Sequence, residues 1–156
     1  MFRAQAEKIR APSANSQDYA LCTTLHSNLA AAAFDSLQAD KRLVVLDVGM
    51  AMAATVGYFS QFKSKLLFVN LYSEAFVTDI SEEVSHQQLV SEFRRALGIK
   101  DNCIIDICLF WDFFNYLDGT LIKAFIEALQ PYVDEHTRGF GLGALNSRCQ
   151  LPNSSY

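Results

Sequence analysis

Three acidic residues and one amide stand where this chain turns out of apolar runs: Asp47, Asn70, Asp106 and Asp112. Asp47 ends the run that starts at Leu43, and Val48, Gly49 and the alternating residues Met50, Ala51, Met52 and Ala53 follow it. That order describes a buried strand, a tight turn and a helix opening at the turn. Free backbone N–H groups and the positive end of the helix dipole converge at such a junction and can hold a nucleotide-like ligand. Asp47 is then open to two readings, an acid that orients the ligand or a cap on the following helix. Asp106 lies within an apolar stretch, where an unpaired carboxylate is expensive. A hydrogen-bonded structural aspartate near a strand start is favoured there over a catalytic one. Asp112 is flanked by Phe110, Trp111, Phe113, Phe114 and Tyr116, just past a strand's C-terminal end, where open α/β sheets place ligands. It is the best single candidate for a polar contact to a substrate, although aromatics in such numbers more often form core or interface.

The remaining reactive residue types form no constellation. Cys103 and Cys108 lie five apart on one expected strand, so their side chains point to opposite faces and make neither a local disulfide nor a metal clamp. With Cys22 and Cys149 they read as reduced cysteines of a cytoplasmic protein. His26, His86 and His136 are scattered, with no second ligand type at metal spacing. The spacing Gly139-x-Gly141-x-Gly143 invites a phosphate-loop reading, but without a strand before it and a helix after it the segment reads as a close-packed strand or bend.

The elements that must position these groups come from a chain of 156 residues, most simply one domain. Apolar residues make up 51% and charged residues 19%, a composition that folds. A net charge of −4 and the lack of any Lys/Arg tract argue against nucleic-acid binding. No apolar run reaches the ~20 residues of a membrane span, and the first ten residues lack the apolar segment of a secretory signal.

Residues 1–16 read as a mobile N-terminus that ends in a polar break, and residues 17–156 as a single domain. A helix is expected over residues 17–38, a strand over Leu43–Val48 and a helix over Met50–Phe62. A second strand is expected over Leu66–Leu71 and a helix over Ser85–Leu97 with Gly98 as its C-cap. A third strand, Cys103–Phe110, runs into the aromatic cluster. A helix from Thr120 to Gln130 is closed by Pro131, and Gly139–Leu145 is a final strand before a polar tail. Strands alternating with helices predict an α/β fold, a doubly wound and mostly parallel sheet with helices on both faces.

From Leu43 to Leu145 this order and its local wording resemble a class I S-adenosylmethionine-dependent methyltransferase, whose sheet is Rossmann-like. Residues 45–53 resemble that family's first motif, hydrophobic–acidic–hydrophobic–Gly-x-Gly-x-Gly. Leu67–Leu71 takes the place of its second strand, and Ile105–Leu117 resembles its fourth-strand motif. The resemblance implies S-adenosylmethionine as cofactor, with a site drawn from Asp47, Gly49, Ala51, Ala53, Asn70, Asp79, Phe110 and Asp112. It names no catalytic residue and no metal.

The departures from the family pattern are specific. Ala51 and Ala53 replace two of the three glycines, and each adds a Cβ where a positive φ would be costly. Asn70 replaces the acidic residue that accepts from both ribose hydroxyls; it offers one acceptor, two donors and no charge. Glu74, four residues on, is the only substitute nearby. The family's third strand has one short candidate, Phe76–Ile80, from which Asp79 would reach adenine. This sequence leaves no room for the sixth and seventh strands, so a sheet edge is expected to be covered by a homo-oligomer or protein partner, by the N-terminal helix or by sequence missing from a fragment. The expectation is a methyltransferase-like protein acting as a binding or assembly module, with weak or lost cofactor binding. The alternative is an active methyltransferase of unknown acceptor, and a weaker one is another nucleotide-binding α/β protein of flavodoxin-like or Rossmann type.

Overall fold

The unbroken apolar run after Arg42 becomes the strand β1 (Leu43–Asp47), with a parallel neighbour on each side. In the computed structural model of the chain, residues 34, 37, 40–79 and 84–143 are described. The expected mobile segment 1–16, nearly all of the expected helix over residues 17–38 and the polar tail lie outside them. After β1 come α1 (Ala53–Phe59), β2 (Ser64–Phe68), the single-turn helix α2 (Ala75–Thr78) and α3 (His86–Leu97). Then follow β3 (Ile107–Trp111), α4 (Gly119–Leu129) and β4 (Arg138–Gly141). Short 3-10 turns cover Leu71–Ser73, Phe113–Tyr116 and Gln130–Tyr132.

The four strands form one sheet in the order β2-β1-β3-β4, with every pair parallel. The chain is therefore α/β with a Rossmann-like parallel sheet. Its winding reverses at β1, since the first crossover steps outward to β2 and the next passes back over β1 to reach β3. The C-terminal ends of β1 and β3 thus flank a topological switch point, where the connecting loops part in opposite directions and leave a crevice. Among the described residues no helix is long and apolar enough to cross a membrane.

Strand alternation divides the core. Leu46, Val48 and Cys108 face the helices α3 and α4, packing with Leu89, Phe93, Leu121 and Phe125. The Phe93 and Phe125 rings meet at 5.3 Å, and burying side chains of that size contributes roughly 1.5–3 kcal/mol each. Leu43, Val45, Ile107 and Leu109 face the other way, against Phe59 of α1 and Phe34. Both helices behind the larger face have well-made starts. Ser85 and Gln88 form a reciprocal capping box at α3, which ends on Gly98 at φ +56°, and the Asp118 carboxylate accepts from the N–H groups of Thr120 and Leu121.

Several boundaries differ from the sequence expectation. The third strand begins at Ile107 rather than Cys103, because Asp106 breaks off the ladder to grip the start of β1. Its carboxylate accepts the Val44 N–H at 2.8 Å and meets Lys41 at 3.2 Å, while its own N–H donates to the Val44 carbonyl. It is the hydrogen-bonded structural aspartate. Cys103 consequently precedes the strand and the alternation argument does not apply to it, while Cys108 is buried, its thiol pushed up to about 12 by desolvation. No strand forms at residues 76–79. The segment is the turn of helix α2, which buries Val77 and sets Phe76 edge-on against Phe93 at 4.9 Å. The packing of two apolar residues on one helical face outweighs the β-propensity of so short a run. The expected final strand is present as β4, which starts one residue earlier than expected, at Arg138, and already ends at Gly141.

Candidate functional site

At the end of β1, strand alternation turns Asp47 toward the α1 face, and the same rule turns Trp111 that way at the end of β3. The two meet. Asp47 is 1% exposed, and its Oδ1 accepts from the Trp111 indole N–H at 2.8 Å and from the Gly49 N–H at 2.9 Å. Its Oδ2 is buried and has no hydrogen-bond partner among the described residues. Burial therefore raises the carboxyl above its ordinary value of 3.8, and the two hydrogen bonds to Gly49 and Trp111 only partly offset that. The helix-cap reading of Asp47 does not hold: α1 starts six residues on, its N-cap is Met52, and that cap makes no side-chain hydrogen bond.

Trp111 pays for its position with backbone strain, since it sits at φ +49°, a region that side chains with a Cβ rarely enter. A bulge in the β3–β4 ladder at this point re-aims the residue, and the Leu142 N–H donates to the Trp111 carbonyl at 2.6 Å to fix it. Gly49 lies directly against this pair. A Cβ there would stand 3.3 Å from Asp47 Oδ1 and 3.5 Å from the indole ring, a tight fit for alanine that leaves no room for a branched side chain.

The switch-point crevice widens here into a cavity of about 340 Å³. That lies within the roughly 300–1,000 Å³ of small-molecule sites. Gly49 and Trp111 form one wall, Asn70 and Tyr72 close it from the loop after β2, and Ala54 and Thr55 from the first turn of α1. Met50 and Met52 border it from the turn. Both precede α1 rather than lying on it, and Met52 is extended, at φ −97° and ψ 134°.

Asp112 brings the cavity's described carboxylate. The Tyr72 hydroxyl donates to its Oδ1 at 2.7 Å and the Tyr116 hydroxyl to its Oδ2 at 3.1 Å. These bonds tie the loop after β2 to the loop after β3. The Asn70 side chain, half-buried, caps nothing in the 3-10 turn that follows it and makes no hydrogen bond among the described residues. Glu74 is turned away and ion-paired with Arg95 of α3 at 3.3 Å.

Of the residues singled out in the sequence, Gly49, Asn70 and Asp112 line the cavity, and Asp47 sits against its wall through Gly49 and Trp111. Ala51 and Ala53 are exposed and do not line it. Asp79 is exposed at the end of α2, away from the cavity, because the strand expected to carry it is absent. Phe110 points to the opposite face of the sheet, where it packs on Phe114 at 4.9 Å and on Phe125. Tyr72, Met50, Met52 and Thr55 were not among the sequence candidates. The methionine pair carried a signal, its two-residue spacing in the turn after β1, whereas nothing local marks Tyr72, which is brought in by the 3-10 turn. Among the described residues no three His, Cys, Asp or Glu side chains gather as a metal site. Compared with protein-family models, curated proteins and solved structures, the chain matches none of them.

Proposed function

We propose that this chain is a methyltransferase-like binding module, whose switch-point cavity takes S-adenosylmethionine or its demethylated product weakly. The observation that carries the reading is the loop after β2. Asn70 lines the cavity in the loop where the family pattern expects a ribose-binding carboxylate, and Glu74, the acid four residues on, is committed to Arg95. An uncharged amide forms weaker hydrogen bonds to a pair of hydroxyls than a carboxylate does. The position of the cavity supports a ligand, and its described lining supports one without phosphate. Asp112 is there, and no lysine or arginine is, so a dinucleotide or nucleoside triphosphate would bring negative charge to a carboxylate.

Trp111 is the only tryptophan of the chain and lines the cavity, so its emission reports occupancy there. Titration with S-adenosylmethionine and with its demethylated product, followed by fluorescence and calorimetry, should give saturable binding between the high micromolar and millimolar ranges. No response at millimolar ligand would remove the cofactor from the reading. Low-micromolar binding together with methyl transfer would instead favour an active enzyme, whose in-line displacement needs orientation more than an acid or base.

A further inference from the structure

We infer that the switch-point cavity selects an organic cation, an ammonium or sulfonium carried on an apolar body, and that this cation rather than a nucleoside is the main anchor. The inference rests on the reading of the cavity as a ligand site and names what that site recognises.

Asp112 is the first ground. Its two described partners are the neutral hydroxyls of Tyr72 and Tyr116, and none of the ion pairs of the described residues involves it. A carboxylate has about four lone-pair directions, so two donated hydrogen bonds hold its orientation without exhausting or neutralising it. The charge is fixed, half-buried and open to a cationic partner.

The rings are the second ground. Trp111 and Tyr72 line the same cavity as Asp112, and indole and phenol faces attract cations, most strongly where water is excluded. Tyr72 is further held edge-on between the rings of Phe113, at 5.3 Å, and Tyr116, at 5.7 Å, so it is a rigid wall rather than a mobile one. Trp111 is locked by its bond to Asp47, whose carboxylate lies behind the indole.

The rim is the third. Met50 and Met52 are 51% and 52% exposed at the cavity's border, and Ala54 continues the apolar margin. Unbranched thioethers adapt to varied apolar shapes and favour aromatic or aliphatic groups. With no lysine or arginine among the described lining, no cationic side chain there competes for Asp112 or attracts an anion.

The test uses the whole chain and Trp111 emission with matched small probes. Choline is compared with its uncharged carbon isostere, in which a tert-butyl group replaces trimethylammonium; benzyltrimethylammonium and phenylacetate compare opposite charges on one aromatic body. Choline should bind about tenfold more tightly than its isostere. Benzyltrimethylammonium should bind more tightly than choline, and phenylacetate should not saturate. In Asp112→Asn, with folding checked by its melting transition, the choline-to-isostere ratio should fall to roughly two- to threefold, the share that the Trp111 and Tyr72 rings keep, and an unchanged ratio would remove Asp112 from the anchor. Equal affinity for choline and its isostere in the unaltered chain, or saturation by phenylacetate, would overturn the inference without any variant. If S-adenosylmethionine binds and neither small cation does, cation selection fails while the cavity reading stands. If the small cations bind and S-adenosylmethionine does not, the cofactor reading fails alone; silence from every probe refutes both.

Discussion

Replacing Asn70 with aspartate tests the proposed function at its most specific point. The side chains are isosteric, and the Asn70 amide has no described hydrogen bond to lose, so Asn70→Asp alters the cavity's chemistry more than its shape. A hydrogen bond to a neutral acceptor contributes about 0.5–1.5 kcal/mol net and one to a charged acceptor about 1.5–3 kcal/mol. The carboxylate also offers a second acceptor oxygen to a second hydroxyl. The gross gain is therefore about 1–3 kcal/mol. Two features of the site pull it toward the lower end: Asn70 is only half-buried, and a new charge would share the cavity with Asp112. The expected tightening is about 1.4 kcal/mol, or about tenfold in the dissociation constant of S-adenosylmethionine's demethylated product. A new negative charge would also draw in any cationic ligand, and the same titration with the dideoxy-ribose analogue separates the two effects. Gain with the hydroxyl-bearing ligand alone supports the reading. Equal gain with both ligands, or no gain with either, would refute a ribose at Asn70.

Three further outcomes are expected. Asp47→Asn keeps an acceptor for Gly49 and Trp111 and removes a buried charge, so stability at neutral pH should be unchanged or higher. The folded carboxyl titrates above its ordinary 3.8, so in that window the folded chain holds a proton that the unfolded chain has released. Its contribution to stability falls as pH rises through the window and stays unfavourable above it, and this component should vanish from the variant's denaturation profile; an unchanged profile would count against a strained Asp47. Gly49→Val should abolish ligand response and cost roughly 1–3 kcal/mol in chemical denaturation, because its branches would enter the Asp47–Trp111 contact, whereas Gly49→Ala should fold nearly normally. The outer edge of β4 pairs only with β3 among the described residues; if a second copy covers it, sedimentation should depend on concentration, and a monomer at all concentrations would refute that.

The layered fold was legible because its signals are local. The run at Leu43–Leu46, the Ser85–Gln88 pair and Gly98 each announce an element by their own chemistry, and alternation correctly implied a sheet covered on both sides. Strand ends were legible only to within a few residues, since Asp106 leaves the ladder for a partner distant in sequence and no local rule reports that. The site was legible where β1 and β3 end, at Gly49 and Asp112. It was illegible where a non-local contact aims the side chain: Tyr72 enters through a hydroxyl bond to Asp112, and the bulge and positive φ at Trp111 follow from no local rule, although alternation gives that residue its face. Asp79 and Phe110 were named from the family pattern, whose third strand this chain does not form and whose strand-end position here belongs to Trp111.

The grip of Asp106 on Val44 spans 62 residues of chain, and it decides when this protein can become itself. β1 emerges early during synthesis and can pair with β2 at once, but its other flank stays empty until β3 has been made. On that order of synthesis, the central ladder and the ligand crevice beside it are expected to be completed last. Loop closure over such a distance must precede any reward from pairing, which makes parallel sheets slow to form. Until then β1 exposes an apolar edge with no partner, the state in which a chain is most prone to aggregate. Weakening the Asp106 clamp should accordingly show first as a lower yield of folded protein rather than as a weaker site.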